Sequence, residues 1–290
     1  MRMQKLGTLA AGLVVVCAMV VAGRAQGQLP GVEPLKDSGQ DVTPSFEGWY
    51  QNADGTYNLS FGYHNRNLKE EVDIPIGPNN RVEPGGPDQG QPTHFYPRRQ
   101  MGLFTVTVPK DFGSKRVTWT LVRNGKTNTV PAHIDPRWEI DALEDTTIGN
   151  KSPFIRFSPT GPQHSGPRNL MNAITASTGQ PATLDVYASD DGVTLRREPN
   201  PKPPPVLTVR WTKYRGPGKV MFAKDSPEVD RASGKATTTA TFTEPGEYLL
   251  RITANDYTGP TGASGQCCWT NGLVQVTVTG AGTNALNPEP

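Results

Sequence analysis

Two adjacent cysteines occur in "GQCCWTNG", near the end of the chain, and could form a disulfide bond with each other. The third cysteine, Cys17, lies in an apolar N-terminal run that we expect to be removed. Cys267 and Cys268 would then stay free, pair between chains or pair with each other. Because exported proteins usually meet an oxidising environment, two lasting free thiols are disfavoured.

A bond between the two cysteines depends on the local backbone. Neighbouring side chains of a strand point to opposite faces, so the bond requires that Cys267 and Cys268 lie in a loop. Across a trans peptide their Cα atoms would be only ~3.8 Å apart, closer than in most disulfides. The alternative is a buried Cys268 and a half-exposed Cys267, both reduced. In the paired form, we expect a rigid apolar loop beside Trp269 that shapes a binding surface.

A second group of residues could bind a cation. Asp190 and Asp191 lie in "SDDG", and Asn255 and Asp256 lie in "ANDYTG". If the two loops share one end of a β-sandwich, their side-chain oxygens would converge, and calcium prefers such ligands. Asp, Asn and Gly are also common turn residues for local reasons, which is the alternative. Calcium is the only cofactor that the sequence suggests.

A third group could bind a protein or a glycan. The stretch from Gly77 to Gln100 is a long segment with few strand signals, and loops of this length tend to be functional or disordered. Aromatic and arginine side chains dominate the energetics of interfaces. The candidate binding residues are His94, Phe95, Tyr96, Arg98 and Arg99, joined by Arg66 if it lies nearby. The alternative is that the two aromatic rings attach the loop to the protein and that the arginines are solvated.

Catalytic signatures are missing from the sequence. The four histidines are scattered without the spacing of metal ligands, and neither an HExxH nor a G-x-S-x-G motif occurs. We therefore predict that the protein is not an enzyme. An unrecognised enzyme is the third hypothesis, because triads are defined by geometry and not by sequence.

The N-terminus has the pattern of a secretory signal peptide. Arg2 and Lys5 precede an apolar run from residue 6 to 23, and a processing site follows at Ala25. An uncleaved anchor is the alternative, since ~18 uncharged residues just span a bilayer. We predict cleavage, a secreted or periplasmic protein, and no membrane span afterwards.

Removing residues 1–25 also changes the charge. The 29 basic residues lose three and the 27 acidic residues lose none, so the net charge becomes about −1. Without a basic stripe that carries interleaved aromatic residues, a nucleic acid is not expected as a partner.

Period-two alternation defines the elements that position these residues. It runs through "GTYNLSFGYHN", "GLFTVTVP" and "RVTWTLVRNGKTNTVP", with hairpin turns at Asp54-Gly55 and Asn124-Gly125. The predicted fold class is all-β, with two Ig-like antiparallel β-sandwich domains in tandem. The predicted parts are a signal peptide (1–25), a flexible segment (26–43), a β-sandwich (44–134), a linker (135–170), a second sandwich (171–280) and a disordered tail (281–290).

The second sandwich resembles the Ig-like domains of the PKD and cadherin-like group. The resemblance rests on "TATFTEPGEYLLRITANDYTG", in which a Pro-Gly-x-Tyr corner opens the penultimate strand and an Asp ends it, and on Trp211 of an earlier strand. It implies an Ig-like sandwich and favours calcium. The whole chain is also similar to exported bacterial proteins, which implies a compartment.

The sequence thus predicts an exported, non-catalytic binding or structural module of the bacterial envelope or extracellular space. The alternative is a carbohydrate- or protein-recognition accessory of a secreted hydrolytic system.

Overall fold

The computed structural model describes residues 36–193, 207–256 and 267–280. The predicted signal peptide (1–25), most of the predicted flexible segment (26–43) and the predicted tail (281–290) lie outside the described residues. Within them, the regular structure is β-strand apart from one 3₁₀ turn. None of the described residues forms a helix long and apolar enough to cross a membrane.

The N-terminal half contains eight strands in three sheets. They are β1 (Val42–Gln51), β2 (Tyr57–Asn65), β3 (Val72–Asp73), β4 (Asn80–Glu83), β5 (His94–Phe95), β6 (Arg98–Val108), β7 (Val117–Arg123) and β8 (Lys126–Ala132). The sheets have the orders β1-β2-β6, β4-β7-β8 and β3-β5. One hydrophobic core, centred on Phe61, Phe104 and Trp119, draws residues from all three sheets.

The predicted hairpins of this half are confirmed. β1 and β2 pair antiparallel around Asp54-Gly55. β7 and β8 turn at Asn124-Gly125, where both residues have positive φ, 50° and 73°. A type I′ turn needs that backbone, which Asn and Gly adopt most easily. The alternating stretch "EVDIPIG" contains only a short strand, because only Val72 and Asp73 pair, with Phe95 and His94.

Residues 135–170, predicted as a linker, contain much regular structure. They hold a 3₁₀ turn (Pro136–Trp138) and the strands β9 (Glu144–Asp145), β10 (Asn150–Lys151), β11 (Phe154–Arg156) and β12 (His164–Ser165). Strands of two or three residues are too short to show period-two alternation, so the sequence pattern could not reveal them. Ile140 and Ala142 also pack with Tyr50 and Trp269, which joins the two halves.

The C-terminal half is a two-sheet sandwich. Its further strands are β13 (Asn169–Ser177), β14 (Ala182–Ser189), β15 (Leu207–Arg215), β16 (Val220–Phe222), β17 (Lys235–Phe242), β18 (Gly246–Asp256) and β19 (Trp269–Thr279). One sheet has the order β12-β11-β14-β17-β16 and the other β13-β19-β18-β15. The first contains the A-B-E-D order of an Ig sandwich and the second its C-F-G strands. Among the described strands, only β13 and β19 pair in parallel.

Two buried side chains complete this assignment. Trp211 on β15 is 1% exposed and lies in the core between the sheets. At the start of β18, the Tyr248 hydroxyl donates to the Glu244 carbonyl at 2.8 Å. That bond is the tyrosine corner of Ig-type sandwiches. The fold is Ig-like.

Candidate functional site

The predicted binding loop, 77–100, docks on the protein's own C-terminal sandwich. The backbone N–H of Thr93 donates to the Tyr214 carbonyl at 3.2 Å. The N–H of Lys213 donates to the Tyr96 hydroxyl at 2.9 Å, and the Tyr214 hydroxyl donates to the Gly90 carbonyl at 2.6 Å. The loop therefore covers the free edge of β15, an exposed edge that proteins commonly protect.

A charged group of the same loop strengthens this docking. Arg215 donates from two guanidinium nitrogens to the two carboxylate oxygens of Asp88, each at 2.8 Å, and from Nη2 to the Gln91 carbonyl at 2.6 Å. A bidentate arginine–carboxylate pair is geometrically specific and stronger than a neutral hydrogen bond. The carboxylate of Asp88 in the docked loop is thus paired with a charged group of the C-terminal sandwich.

His94 lies inside this contact and not on an outer surface. Its Nδ1 is 2.8 Å from Asp73 Oδ1 and its Nε2 is 3.2 Å from Glu71 Oε2. Lys213 Nζ, also buried, is 3.5 Å from the same Asp73 oxygen. Burial opposes protonation, but the hydrogen bonds to Asp73 and Glu71 outweigh it, so the pKa of His94 is raised. His94 therefore lies between two carboxylates beneath the loop.

The loop's aromatic residues serve the fold. Phe95 has no exposed surface, and its ring centroid is 4.8 Å from that of Tyr63 and 6.4 Å from that of Trp119. The structure therefore places Phe95 and Tyr96 as the alternative interpretation did, as residues that attach the loop, and His94 directly precedes them in the chain. These residue types are typical of an interface, and here the interface lies between two parts of the same chain.

The three predicted arginines come together at the end of β2 and β6. Asn65 pairs with Arg98 and His64 pairs with Arg99 across the two strands, and Arg66 follows directly. The pKa of His64 is lowered by burial and then by the charges of Arg98, Arg99 and Arg66, so all three lie close to it. We call Arg66, Arg98, Arg99 and His64 the arginine patch. All three arginines are exposed.

Glu47 is the acid beside this patch. Its Oε1 accepts from Arg99 Nη2 at 3.0 Å, and its Oε2 accepts from the Gly102 N–H at 2.6 Å. Its side chain is 8% exposed, and burial raises its pKa to about 7 against the opposing effect of Gly102, Arg99 and Arg251. Among the described residues, no carboxylate forms an ion pair with Arg66 or Arg98.

A second set of contacts, which we call the seam, joins the halves at Gly102. The Gly102 carbonyl accepts from Asn271 Nδ2 at 2.7 Å, Trp269 Nε1 at 3.2 Å and Arg251 Nη2 at 3.3 Å. Gly102 has a φ of 59°, and a Cβ there would lie 2.5 Å from the Trp269 indole. These residues were not among the sites predicted from the sequence, although a lone glycine in a strand pattern indicates a bulge or a close approach.

The predicted acidic site is assembled in part. Asp190 and Asp256 continue the inward-facing positions of β14 and β18 at one end of the sandwich. Burial, followed by the charges of Asp256 and Asp191, raises the pKa of Asp190 to about 6. Asp256 Oδ2 accepts from Asn150 Nδ2 at 2.7 Å. The next residue, Lys151, donates its backbone N–H to Asp191 Oδ2 at 3.1 Å, so the two acidic segments lie near each other.

Asn255 does not join this group. It precedes Asp256 on β18 and therefore faces the opposite side of the sheet. Within the described part of the chain, no group of three or more His, Cys, Asp or Glu side chains could hold a metal ion. Calcium binding by Asp190, Asp191 and Asp256 stays a prediction.

Cys267 and Cys268 are paired in the structure and both are buried. The peptide between them is cis, whereas the sequence analysis assumed a trans peptide. Cys268 Sγ lies 3.3 Å from the Asn150 carbonyl, the residue whose side chain contacts Asp256. The pair therefore lies in the interior beneath the acidic end, and neither sulfur is part of an exposed surface.

We expect the unreduced mature protein to have an intact mass lighter by two hydrogens than the mass of the mature sequence, because the two thiols are joined. After reduction, alkylation should add two groups at Cys267 and Cys268. Two thiols that react without prior reduction, or a dimer that a reducing agent dissolves, would contradict the pairing.

Comparisons with known proteins do not assign the chain to a family. No protein-family model matches the chain, and no curated protein matches it. Similar solved structures include domains 4 and 5 of the S-layer protein SbsC, at 14% identity over 57% of this chain and 65% of that chain, with a TM-score of 0.23. The chain thus spans less than two thirds of that structure's length.

Two further structures are composed of Ig or fibronectin(III)-like domains. The titin Ig tandem domains A164-A165 match at 10% identity over 83% of this chain and all of that chain, with a TM-score of 0.24. The fibronectin(III)-like modules of Clostridium thermocellum CbhA match at 13% identity over 86% and 98% of the two chains, with a TM-score of 0.24. The Ig-like assignment of this chain rests on its own strand order and tyrosine corner.

Proposed function

We propose that the protein is an exported, non-catalytic binding module whose two fused sandwiches present the arginine patch to an acidic polysaccharide. The observation that carries the proposal is the convergence of Arg66, Arg98 and Arg99 around His64. Arg66 and Arg98 form no ion pair with a described residue, so their guanidinium groups are available to an external anion.

The chemistry of the patch favours this class of ligand. A guanidinium group presents a planar fork of donors that matches the oxygens of carboxylate and sulfate groups. Single-stranded nucleic acids are bound with aromatic platforms on which bases stack, whereas the arginine patch consists of three arginines and one histidine. The net charge of about −1 without residues 1–25 makes general attraction of polyanions weak, so binding must be local.

Two features support export. The first 25 residues have the charge and hydropathy pattern of a signal peptide. The bond between Cys267 and Cys268 is the kind of bond that persists in oxidising compartments. We also propose that the second sandwich, which contains the Tyr248 corner, is a domain of the PKD and cadherin-like group.

Binding of an acidic polysaccharide should weaken when the unpaired arginines are removed. We expect Arg66→Ala/Arg98→Ala to bind heparin and polygalacturonate about 5- to 30-fold more weakly, because each surface charge pair contributes up to ~1 kcal/mol. The matched control, Lys115→Ala/Arg116→Ala, removes the same charge from an exposed loop elsewhere. Calorimetric titration at low salt measures both. Equal losses in the two variants would contradict a specific patch.

The same titration should depend on pH through Glu47. Its pKa is about 7, so lowering the pH from 8 to 6 neutralises the acid beside Arg99. The pKa of His64 is lowered by burial and by the neighbouring arginines, so that ring gains less charge on acidification than an ordinary histidine. Polysaccharide binding should therefore tighten on acidification, and Glu47→Gln should reduce the dependence. Binding that is independent of pH in the wild type would argue against the patch next to Glu47.

A second candidate function is recognition of a neutral glycan, as in an accessory of a hydrolytic system. A cavity of about 1090 Å³ opens in the C-terminal sandwich and is lined in part by Phe154 and Tyr187. Phe154 is 42% exposed, and Arg156 lies 5.9 Å from the centroid of the Tyr187 ring. Binding of a neutral glucan that Tyr187→Ala abolishes and Arg66→Ala/Arg98→Ala leaves unchanged would favour this candidate.

A further inference from the structure

β13 lies at an edge of its sheet among the described strands. Its nine residues, Asn169–Ser177, pair in parallel with β19 on one side, and no described strand pairs with it on the other. None of the nine is fully buried, and Met171 is 56% exposed. An edge of this length presents a row of unpaired N–H and C=O groups that can accept another strand.

The unpaired backbone groups can be assigned to particular residues. The N–H of Thr178 donates to the Thr279 carbonyl, and the Thr279 hydroxyl donates to the Ala176 carbonyl. Even-numbered residues therefore turn their backbone groups toward β19. The backbone N–H and C=O groups of alternate residues in a strand point to opposite edges. Those of Met171, Ala173 and Thr175 therefore point away from β19.

The other long edges in the described part of the chain are protected. The edge strands β1, β6, β8 and β15 each carry at least one charged residue, whereas "NLMNAITAS" of β13 carries none and has no proline. The edge of β15 is also covered, since the Tyr214 carbonyl accepts from Thr93 and the Trp211 N–H donates to Asp225. Charge, proline and covering segments are the usual means of preventing edge pairing. β13 lacks all three among the described residues.

The sequence of β13 is compatible with antiparallel pairing to itself. A two-fold axis at Ala173 would set Met171 opposite Thr175, Leu170 opposite Ala176 and Asn169 opposite Ser177. Each pair joins residues of the same sheet face, so both faces continue across the axis. The nearest charge, Arg168, would lie opposite Thr178 and far from its copy, so no like charges meet.

We propose that two copies of this chain associate by antiparallel pairing of β13 about a two-fold axis at Ala173. The association joins two four-stranded sheets into one of eight strands. It satisfies the outward backbone groups of Met171, Ala173 and Thr175 in both copies. A closed two-fold contact of this kind gives a dimer and not a fibre.

Two double variants of the full-length protein test the register. Met171→Lys/Thr175→Lys places lysines opposite each other twice across the axis, and we expect dimerisation to weaken at least ~10-fold. Met171→Lys/Thr175→Glu places Lys opposite Glu twice, and the dimer should persist. Both positions are exposed, so each variant should fold, which circular dichroism checks. Sedimentation velocity across a concentration series measures the association.

A mixture of two repelling variants provides the complementary arm. Met171→Glu/Thr175→Glu should be monomeric alone and should form a mixed dimer with Met171→Lys/Thr175→Lys. A wild-type protein that stays monomeric throughout the series would overturn the proposal. So would a dimer that both lysine-containing variants leave unchanged, because its contact would then lie elsewhere, for example in residues 1–35.

Discussion

Gly102→Ala should lower the stability of the protein by about 2–5 kcal/mol. The backbone contribution is ~1–2 kcal/mol, because a residue with a side chain is strained at a φ of 59°. Crowding contributes about 1–3 kcal/mol more, since the new Cβ would lie 2.5 Å from the Trp269 indole. Displacing that ring would also disturb the bonds that Trp269 and Asn271 donate to the Gly102 carbonyl.

Gly113→Ala is the matched control for this prediction. Gly113 has nearly the same φ, 60°, but its Cβ would have only one neighbour within 4 Å, the Asp111 carbonyl oxygen at 3.9 Å. It should therefore show the backbone contribution alone. Thermal unfolding of the two variants separates strain from crowding. Equal melting temperatures for the two variants would mean that the seam at Gly102 tolerates a side chain.

Phe95→Ala should destabilise the protein by about 3–5 kcal/mol, the usual effect of truncating a buried aromatic ring. Phe95 is 0% exposed and contacts the rings of Tyr63 and Trp119. Its loss would leave a cavity in the N-terminal core directly beneath the docked loop. Denaturant unfolding measures the change in the free energy of unfolding.

Arg98→Ala, three residues along the same segment, provides the contrast. Arg98 is exposed and has no ion-pair partner among the described residues, so its removal should change stability by less than about 0.5 kcal/mol. Ligand titrations of folded protein should give the opposite order of effects. Arg98→Ala should weaken binding more than Phe95→Ala does. A Phe95→Ala protein as stable as the wild type would show that the ring is not held in the core in solution.

The docked loop also explains why this segment is rich in aromatic and charged residues. The Tyr96 hydroxyl accepts a hydrogen bond from the Lys213 N–H, and the Asp88 carboxylate accepts from the Arg215 guanidinium. His94 lies between two carboxylates. These residue types dominate interfaces of any kind, internal or external. The residue composition of this segment therefore predicts a buried contact. It does not show whether the contact is with the same chain or with a partner.

Local patterns in the sequence determined the strands and their turns. Period-two alternation located β2, β6 and β7, and the Asn124-Gly125 pair defined its turn, because each signal depends on neighbouring residues only. The Tyr248 corner and Trp211 likewise indicated an Ig-like sandwich from short stretches. The fold class was therefore predictable from the sequence.

Tertiary structure alone decided which distant residues meet. Arg66 joins Arg98 because β2 pairs with β6 in one register, and Asn255 leaves the acidic group because it faces away from Asp256. Gly102 contacts Trp269 across 167 residues, and the loop at Thr93 contacts Tyr214 across the boundary of two sandwiches. Such contacts depend on sheet register and on packing between strands far apart in the chain, and a local sequence pattern contains no information about either.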